Sequence, residues 1–211
     1  MFSASALACV RGERAVFAGL SFTLAPGGAL VLVGANGAGK SSLLRLMAGL
    51  LKPAAGHLAW DGADIADDYE AHRRRLRYVG HADALKPALS VLENLRSWSV
   101  LWGGRGGAAE RAEAALEAFG IGRLRDVPAR YLSAGQRRRL ALSRLLVAPA
   151  PLWLLDEPRT ALDVDAIARL DREVQRHRQA GGLVVMALHG GERPRRPRRS
   201  ILRTRRRRPV I

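Results

Sequence analysis

Two short apolar runs stand out from an otherwise mixed chain, Ala29-Leu-Val-Leu-Val33 and Leu152-Trp-Leu-Leu155. Continuous apolar runs of this length, closed by turn residues, are the pattern of strands buried on both faces, as in a parallel sheet. A third run, 183–188, ends at His189. Helical patterns lie between them. From Ser41 to Leu51 the apolar residues at 43, 44, 46, 47, 50 and 51 make one broad helix face, with Pro53 just past its end. Glu110 to Phe119 reads as an alanine-rich helix behind the flexible Gly103-Gly-Arg-Gly-Gly107, and Asp163 to Gln179 as a helix stopped by Gly181-Gly182. Residues 5–24 alternate loosely and predict antiparallel strands; Leu58 to Trp60 before Asp61-Gly62 predicts a strand and turn. Strands separated by helices imply an α/β fold with a parallel sheet, and no internal repeat is visible.

Composition adds limits. The 211 residues, 48% of them hydrophobic, can bury a core without covalent staples. The single cysteine, Cys9, cannot form an intramolecular bridge, which fits a reducing compartment. No secretory signal pattern opens the chain, and no run approaches the 18 or so apolar residues of a spanning helix, so any membrane role is expected to be peripheral. The net charge of +16 looks like a nucleic-acid or lipid-surface signature. It is concentrated, however: Gly190 to Ile211 holds ten arginines against one glutamate. The body is only moderately basic. With three lysines in the chain, Lys40 attracts notice.

Gly34-Ala-Asn-Gly-Ala-Gly-Lys-Ser41 follows the first apolar run and opens the first helix, the context a phosphate-binding loop requires. Glycines at 34, 37 and 39 let main-chain N–H groups point inward at phosphate oxygens. Lys40 then neutralises the β- and γ-phosphates, and the Ser41 hydroxyl is offered to Mg2+. Leu152-Trp-Leu-Leu-Asp156-Glu157-Pro158 would deliver Asp156 to the carboxyl edge of the sheet to hold the magnesium shell, with Glu157 placed to orient and deprotonate water. By itself that run reads equally as a strand with a solvated acidic end; the phosphate loop decides between them. In Leu132-Ser-Ala-Gly-Gln136, Ser133 and Gln136 have capping-box spacing, and a helix start attracts anions. Alone, this segment would be an ordinary capped helix.

Phosphate loop, Leu-Ser-x-Gly-Gln and Asp-Glu, in that order and over about residues 5 to 189, resemble the ABC-type nucleotide-binding domain. The resemblance implies a P-loop NTPase with an N-terminal antiparallel β-subdomain and a helical subdomain. It places a cassette at 1–189, a helical insertion at about 82–131 and an Arg/Pro-rich tail at 190–211. It implies ATP and Mg2+ as ligands, with Ala35, Asn36, Ala38 and Ser42 joining Gly34, Gly37, Gly39, Lys40 and Ser41 around the nucleotide. It also implies a head-to-tail dimer in which Ser133, Ala134, Gly135 and Gln136 meet the γ-phosphate held by the other copy. Arg159-Thr-Ala-Leu-Asp163 looks like the dimer-contact loop, and His189 like the switch histidine of a catalytic set with Glu157 and Lys40.

Two departures narrow the family. Tyr78-Val-Gly-His81 carries a histidine where most cassettes carry glutamine, so an imidazole would contact metal or water there, or fall short. Arg11 stands where an aromatic usually stacks on adenine, and a guanidinium can also stack. With Leu92-Glu-Asn-Leu95 and Ala150-Pro-Leu-Trp-Leu-Leu-Asp-Glu-Pro158, these residues resemble the CcmA type, ATP-binding subunit of the haem exporter of cytochrome c biogenesis. That resemblance implies a CcmB-type integral membrane subunit, haem handled indirectly, and a peripheral position on the cytoplasmic face of the bacterial inner membrane. Two rivals stand beside it: a soluble nucleic-acid-associated ABC ATPase and a degraded, non-hydrolysing cassette. The first lacks the second cassette or coiled-coil insert of such relatives, so no specific nucleic acid is expected. The tail is open to three readings, a solvated disordered tail, a basic patch for anionic lipid or a frameshifted end. Its lack of apolar periodicity argues against a core strand.

Overall fold

The computed structural model describes residues 1–188 and the main chain of 200–203. They fall into two compact units, one built from Met1–Gly80, Pro151–Glu157 and the chain from His177 on, the other from His81–Ala150 and Pro158–Arg176.

In the first unit, β1 (Phe2–Arg11) and β2 (Arg14–Leu24) form an antiparallel hairpin whose turn uses Gly12 at φ 60°. After β3 (Ala29–Val33) and α1 (Lys40–Met47) come β4 (Ala55–Trp60), β5 (Ala63–Asp64), α2 (Tyr69–Arg74) and β6 (Leu76–Val79). The chain returns to this unit as β7 (Leu152–Asp156), β8 (Leu183–Ala187) and β9 (Ser200–Arg203). One sheet is antiparallel, in the order β2-β1-β4-β5; the other is parallel, in the order β6-β7-β8-β3-β9. The core lies where α1 meets both. Leu43, Leu44, Leu46 and Met47 are fully buried against Leu32, Leu154 and Val185 of the parallel sheet and Phe2 and Leu7 of the antiparallel one. Burial of a side chain of this size stabilises the fold by about 1.5–3 kcal/mol.

Two expectations change here. The first helix stops at Met47 rather than running to Leu51, because Gly49 takes a left-handed φ of 65°. Gly49 N–H then donates to Leu46 O and Leu50 N–H to Arg45 O, a closing motif that satisfies carbonyls a helix end leaves open. Secondly, residues 200–203 of the tail, for which no strand was predicted, join the sheet as β9, parallel to β3 at its edge rather than within its core. An edge strand is held by main-chain hydrogen bonds to one neighbour and needs no long apolar periodicity, and the pair Ile201-Leu202 falls in this stretch.

The second unit contains α3 (Val91–Gly103), α4 (Ala108–Ala118), α5 (Ala134–Ser143) and most of α6 (Val164–Gln179). Its helix starts are chemically marked. Ser90 and Glu93 form a capping box on α3, and the Asp163 carboxylate accepts from Ala166 N–H at 2.8 Å on α6. Between helices the chain is held by polar side chains. Arg111 donates to Ser99 Oγ, Val147 O, Gly104 O and Gly106 O, which fixes the glycine loop predicted at 103–107. Among the described residues no helix is long and apolar enough to cross a membrane.

Candidate nucleotide-binding site

The phosphate loop occupies the turn from β3 into α1. Gly37 and Gly39 have φ of 73° and 94°, values that side-chain-bearing residues rarely adopt. Gly39 is required for a second reason: a Cβ there would lie 2.4 Å from Val16 Cγ1 and 3.2 Å from Phe17 Cδ1, so β2 presses directly on the loop. No side chain caps α1 and its first turn holds no acid, which leaves the helix start as an unopposed array of N–H donors. Lys40 is buried, and its Nζ donates to Gly34 O at 2.8 Å and to Ala35 O at 3.3 Å, so the ammonium spans the loop. Ser41 and Ser42 follow on the first turn, half-buried.

Sheet register brings the acidic pair to the same edge. Leu32 and Asp156 are both level with Ala187 of the intervening β8, so Asp156 lies two strand spacings, roughly 10 Å, from the strand that enters the loop. Asp156 is 2% exposed. The next residue, Glu157, is half-buried and sits in the left-handed region at φ 47°, its N–H donating to Ala187 O at 3.1 Å. A non-glycine residue pays about 1–2 kcal/mol to sit there. Such strain turns the chain sharply off β7 and re-aims the Glu157 side chain; strained residues of this kind cluster at functional sites. The donors gathered on this edge, the Ser41 hydroxyl and two carboxylates, are hard oxygens of the kind magnesium prefers. Among the described residues no group of three or more His, Cys, Asp or Glu could hold a metal.

Arg11 ends β1 opposite Arg14, exposed at the hairpin tip. Two residues back, Cys9 is buried beneath the loop, where burial pushes its thiol up in pKa while Arg11 and a hydrogen bond with Ser42 pull it down. Sequence reasoning missed this support, as it missed His72. The His72 Nε2–H donates to Met47 O at 2.7 Å and Arg73 to Gly49 O at 3.0 Å, so α2 satisfies the carbonyl end of the phosphate-loop helix. No local pattern announces either contact, because both join segments distant in sequence.

In the second unit, Ser133 and Gln136 form the expected capping box. Ser133 Oγ accepts from Gln136 N–H at 3.2 Å and Gln136 Oε1 accepts from Ser133 N–H at 2.8 Å, starting α5 at Ala134. Gly135 admits no side chain, since a Cβ would lie 2.8 Å from Ala161 O. The segment 159–163 is thereby held against the start of α5, with Arg139 3.9 Å from Asp163 and Arg159 donating to both carboxylate oxygens of Asp171. His81 is exposed at the start of this unit. His189 lies outside the described residues.

The family profile described as ABC transporter matches residues 17–160, spanning the phosphate loop, Ser133–Gln136 and Asp156–Glu157. Among curated proteins, the cytochrome c biogenesis ATP-binding export protein CcmA of Paramagnetospirillum magneticum is 60% identical over 189 residues, 89% of this chain and 87% of that protein. The protein of the same name from Methylococcus capsulatus is 50% identical, covering 88% and 89%. A solved ATP-binding subunit of an ABC transporter superposes with a TM-score of 0.81 at 25% identity, covering 89% of this chain and 79% of that one. An ATP-binding cassette solved as a dimer in a post-hydrolysis state with ADP and phosphate shares the fold at a TM-score of 0.80 and 24% identity, covering 90% and 88%. The chain belongs to the ABC transporter family, in its CcmA branch. It is an ATP-binding ABC-type ATPase.

Proposed function

We propose that the protein hydrolyses ATP to drive a membrane export complex, the haem exporter of c-type cytochrome biogenesis. The observation that carries this reading is the register placing Asp156 and Glu157 on the same sheet edge as the glycine loop and Lys40. Its assignment to cytochrome c biogenesis rests on the relatives of that name.

In this reading the N–H groups of Gly34 to Ser42 cradle the phosphates, and Lys40 moves from the loop carbonyls onto the β- and γ-phosphates. Ser41 and Asp156 would hold magnesium, which when bound would supply charge neutralisation on the phosphates. Glu157 orients the attacking water and accepts its proton. Imidazole is a softer donor than magnesium prefers, so His81 acts through a water; His189 completes the γ-phosphate site. Arg11 stacks on the base. Two copies face each other so that Ser133, Gly135 and Gln136 of one close over the nucleotide of the other; the glycine at 135 keeps that helix start free of side chain. An integral membrane subunit of the CcmB type receives the motion, and the protein sits peripherally on the cytoplasmic face of the inner membrane.

The test is co-purification of the tagged chain from its native membrane, with turnover assayed beside a Glu157→Gln variant. A membrane subunit recovered together with Glu157-dependent turnover supports the reading. A chain recovered without partner, or turning over no ATP, sinks it.

A further inference from the structure

Just ahead of the Ser133 cap stands an aromatic side chain that the fold leaves in solvent. Tyr131 is 68% exposed and closes the single turn Ala129–Tyr131. The main chain beneath it is fixed: Ala129 N–H donates to Leu89 O at 2.9 Å, Arg130 N–H to Pro87 O at 3.0 Å and Tyr131 N–H to Pro128 O at 3.0 Å. From there to the cap the chain is extended, with Leu132 at φ −74°, ψ 143° and Ser133 at φ −64°, ψ 164°. Successive side chains of an extended stretch point to opposite sides, and two residues span about 7 Å. Leu132 accordingly turns inward, 4% exposed, with its carbonyl accepting from Arg137 Nη1 at 2.7 Å, while Tyr131 and Ser133 share the outer side. Arg130 lays its guanidinium over one face of the tyrosine ring, 4.8 Å from the centroid. At 68% exposure the opposite face is open.

An open aromatic face on a pinned main chain is a stacking platform for a flat heterocycle, and the helix start beside it draws negative charge. A nucleotide offers those two chemistries on one molecule, a base and a run of phosphates. We propose that Tyr131 of one copy stacks on the base of the nucleotide held by the other copy, so that the base lies between that tyrosine and the Arg11 guanidinium of the chain that binds it. The inference rests on the face-to-face dimer proposed above and deepens it: Ser133, Gly135 and Gln136 meet the phosphate end, and Tyr131 meets the base. The second copy thereby supplies the aromatic surface that the hairpin tip, with arginine at position 11, does not. Every base has a π-face, so Tyr131 adds affinity with little choice among bases. It adds it only where two copies meet.

The experiment uses the full chain carrying Glu157→Gln, which preserves bound ATP, with tyrosine, Tyr131→Ala or Tyr131→Phe at the platform. Binding of ATP, GTP and inorganic triphosphate is measured at protein concentrations where sedimentation shows single copies and where it shows pairs, and 8-azido-ATP is photolysed at both. In paired samples Tyr131→Ala should lose about ten-fold in affinity for ATP and for GTP. It should bind inorganic triphosphate, which has no base, as the parent does, and Tyr131→Phe should match the parent throughout. In single copies all three should bind alike. Photolysis should label Tyr131, located by fragment mass, in paired samples alone. Loss of triphosphate binding in step with ATP, a Tyr131→Phe variant as weak as Tyr131→Ala, label that misses Tyr131 in pairs, or label on it in single copies each overturns the inference. So does a Tyr131→Ala variant equal to a parent that binds ATP and pairs, or a parent that binds ATP and never pairs; in both cases ATP binding itself stands. A parent that binds no ATP overturns the ATPase reading and this inference together.

Discussion

The unit that carries the phosphate loop closes around side chains such as Leu44, Met47 and Leu154, none of them exposed by even 1%. In the unit that carries Ser133–Gln136, the irregular stretches are held by Arg111, Arg138, Arg144, Arg159 and Asn94 reaching main-chain carbonyls and carboxylates. Apolar packing is non-directional and fixes a volume, whereas hydrogen-bonded guanidinium groups fix particular atoms at particular distances. The first suits a rigid phosphate cradle. The second suits segments whose position carries information, since breaking one contact shifts a defined element without emptying a core.

That contrast can be broken by substitution. Leu44→Ala should cost about 2–5 kcal/mol in urea denaturation, because a filled site between α1 and the sheets becomes a cavity. Glu157→Gln keeps shape and should leave stability near the parent while lowering turnover about a hundred-fold, read as phosphate released per minute. In the second unit, Asn94→Leu should lower stability by about 1–3 kcal/mol although it adds apolar surface, since Lys86 N–H loses its acceptor, while the carbonyls of Lys86, Leu89 and Ser90 keep only their main-chain donors. An unchanged midpoint for that variant would mean that the helical unit is packed like the other and that the contrast is false.

The smallest effect is a pH slope. Burial holds His72 below its ordinary value of 6.5, despite its hydrogen bond to Met47 O, with Arg75 and Arg73 adding to the depression. The unfolded chain therefore takes up a proton at about pH 6.5 while the folded chain resists. Stability is fully present above that pH and is lost as pH falls toward the folded value. His177, stacked on Trp153 at 4.0 Å and also depressed by burial, acts in the same sense. His72→Gln should flatten part of the slope in thermal midpoints taken between pH 7.5 and about 5.5; a slope identical to the parent would show that His72 is not its source.

What could be read in advance followed the range over which each feature is encoded. The strands at 29–33 and 152–156, the glycine loop and both partners of the Ser133–Gln136 box are local patterns, and each appears where its pattern stands. The end of α1 was misplaced because leucines at 50 and 51 continue the apolar periodicity past Gly49, whose left-handed turn overrides it. Leu50 is 57% exposed as a result. The strand at 200–203 escaped notice because pairing with β3 is a property of the sheet's edge rather than of arginine-rich sequence. Asp83 carried no signal at all: its meaning comes from arginines 55 and 61 residues away.

The contact of Gly39 with Val16 and Phe17 separates two tasks within one hairpin. Its stem is a wedge whose volume sets the shape of the phosphate cradle, so enlarging Val16 would deform the loop at once. Its tip, from Arg11 to Arg14, projects exposed beyond that wedge. For an engineer this is a modular handle: on the proposed stacking of Arg11 against the base, exchanging it for tyrosine or tryptophan would retune which bases the protein favours, apart from the loop that grips phosphate.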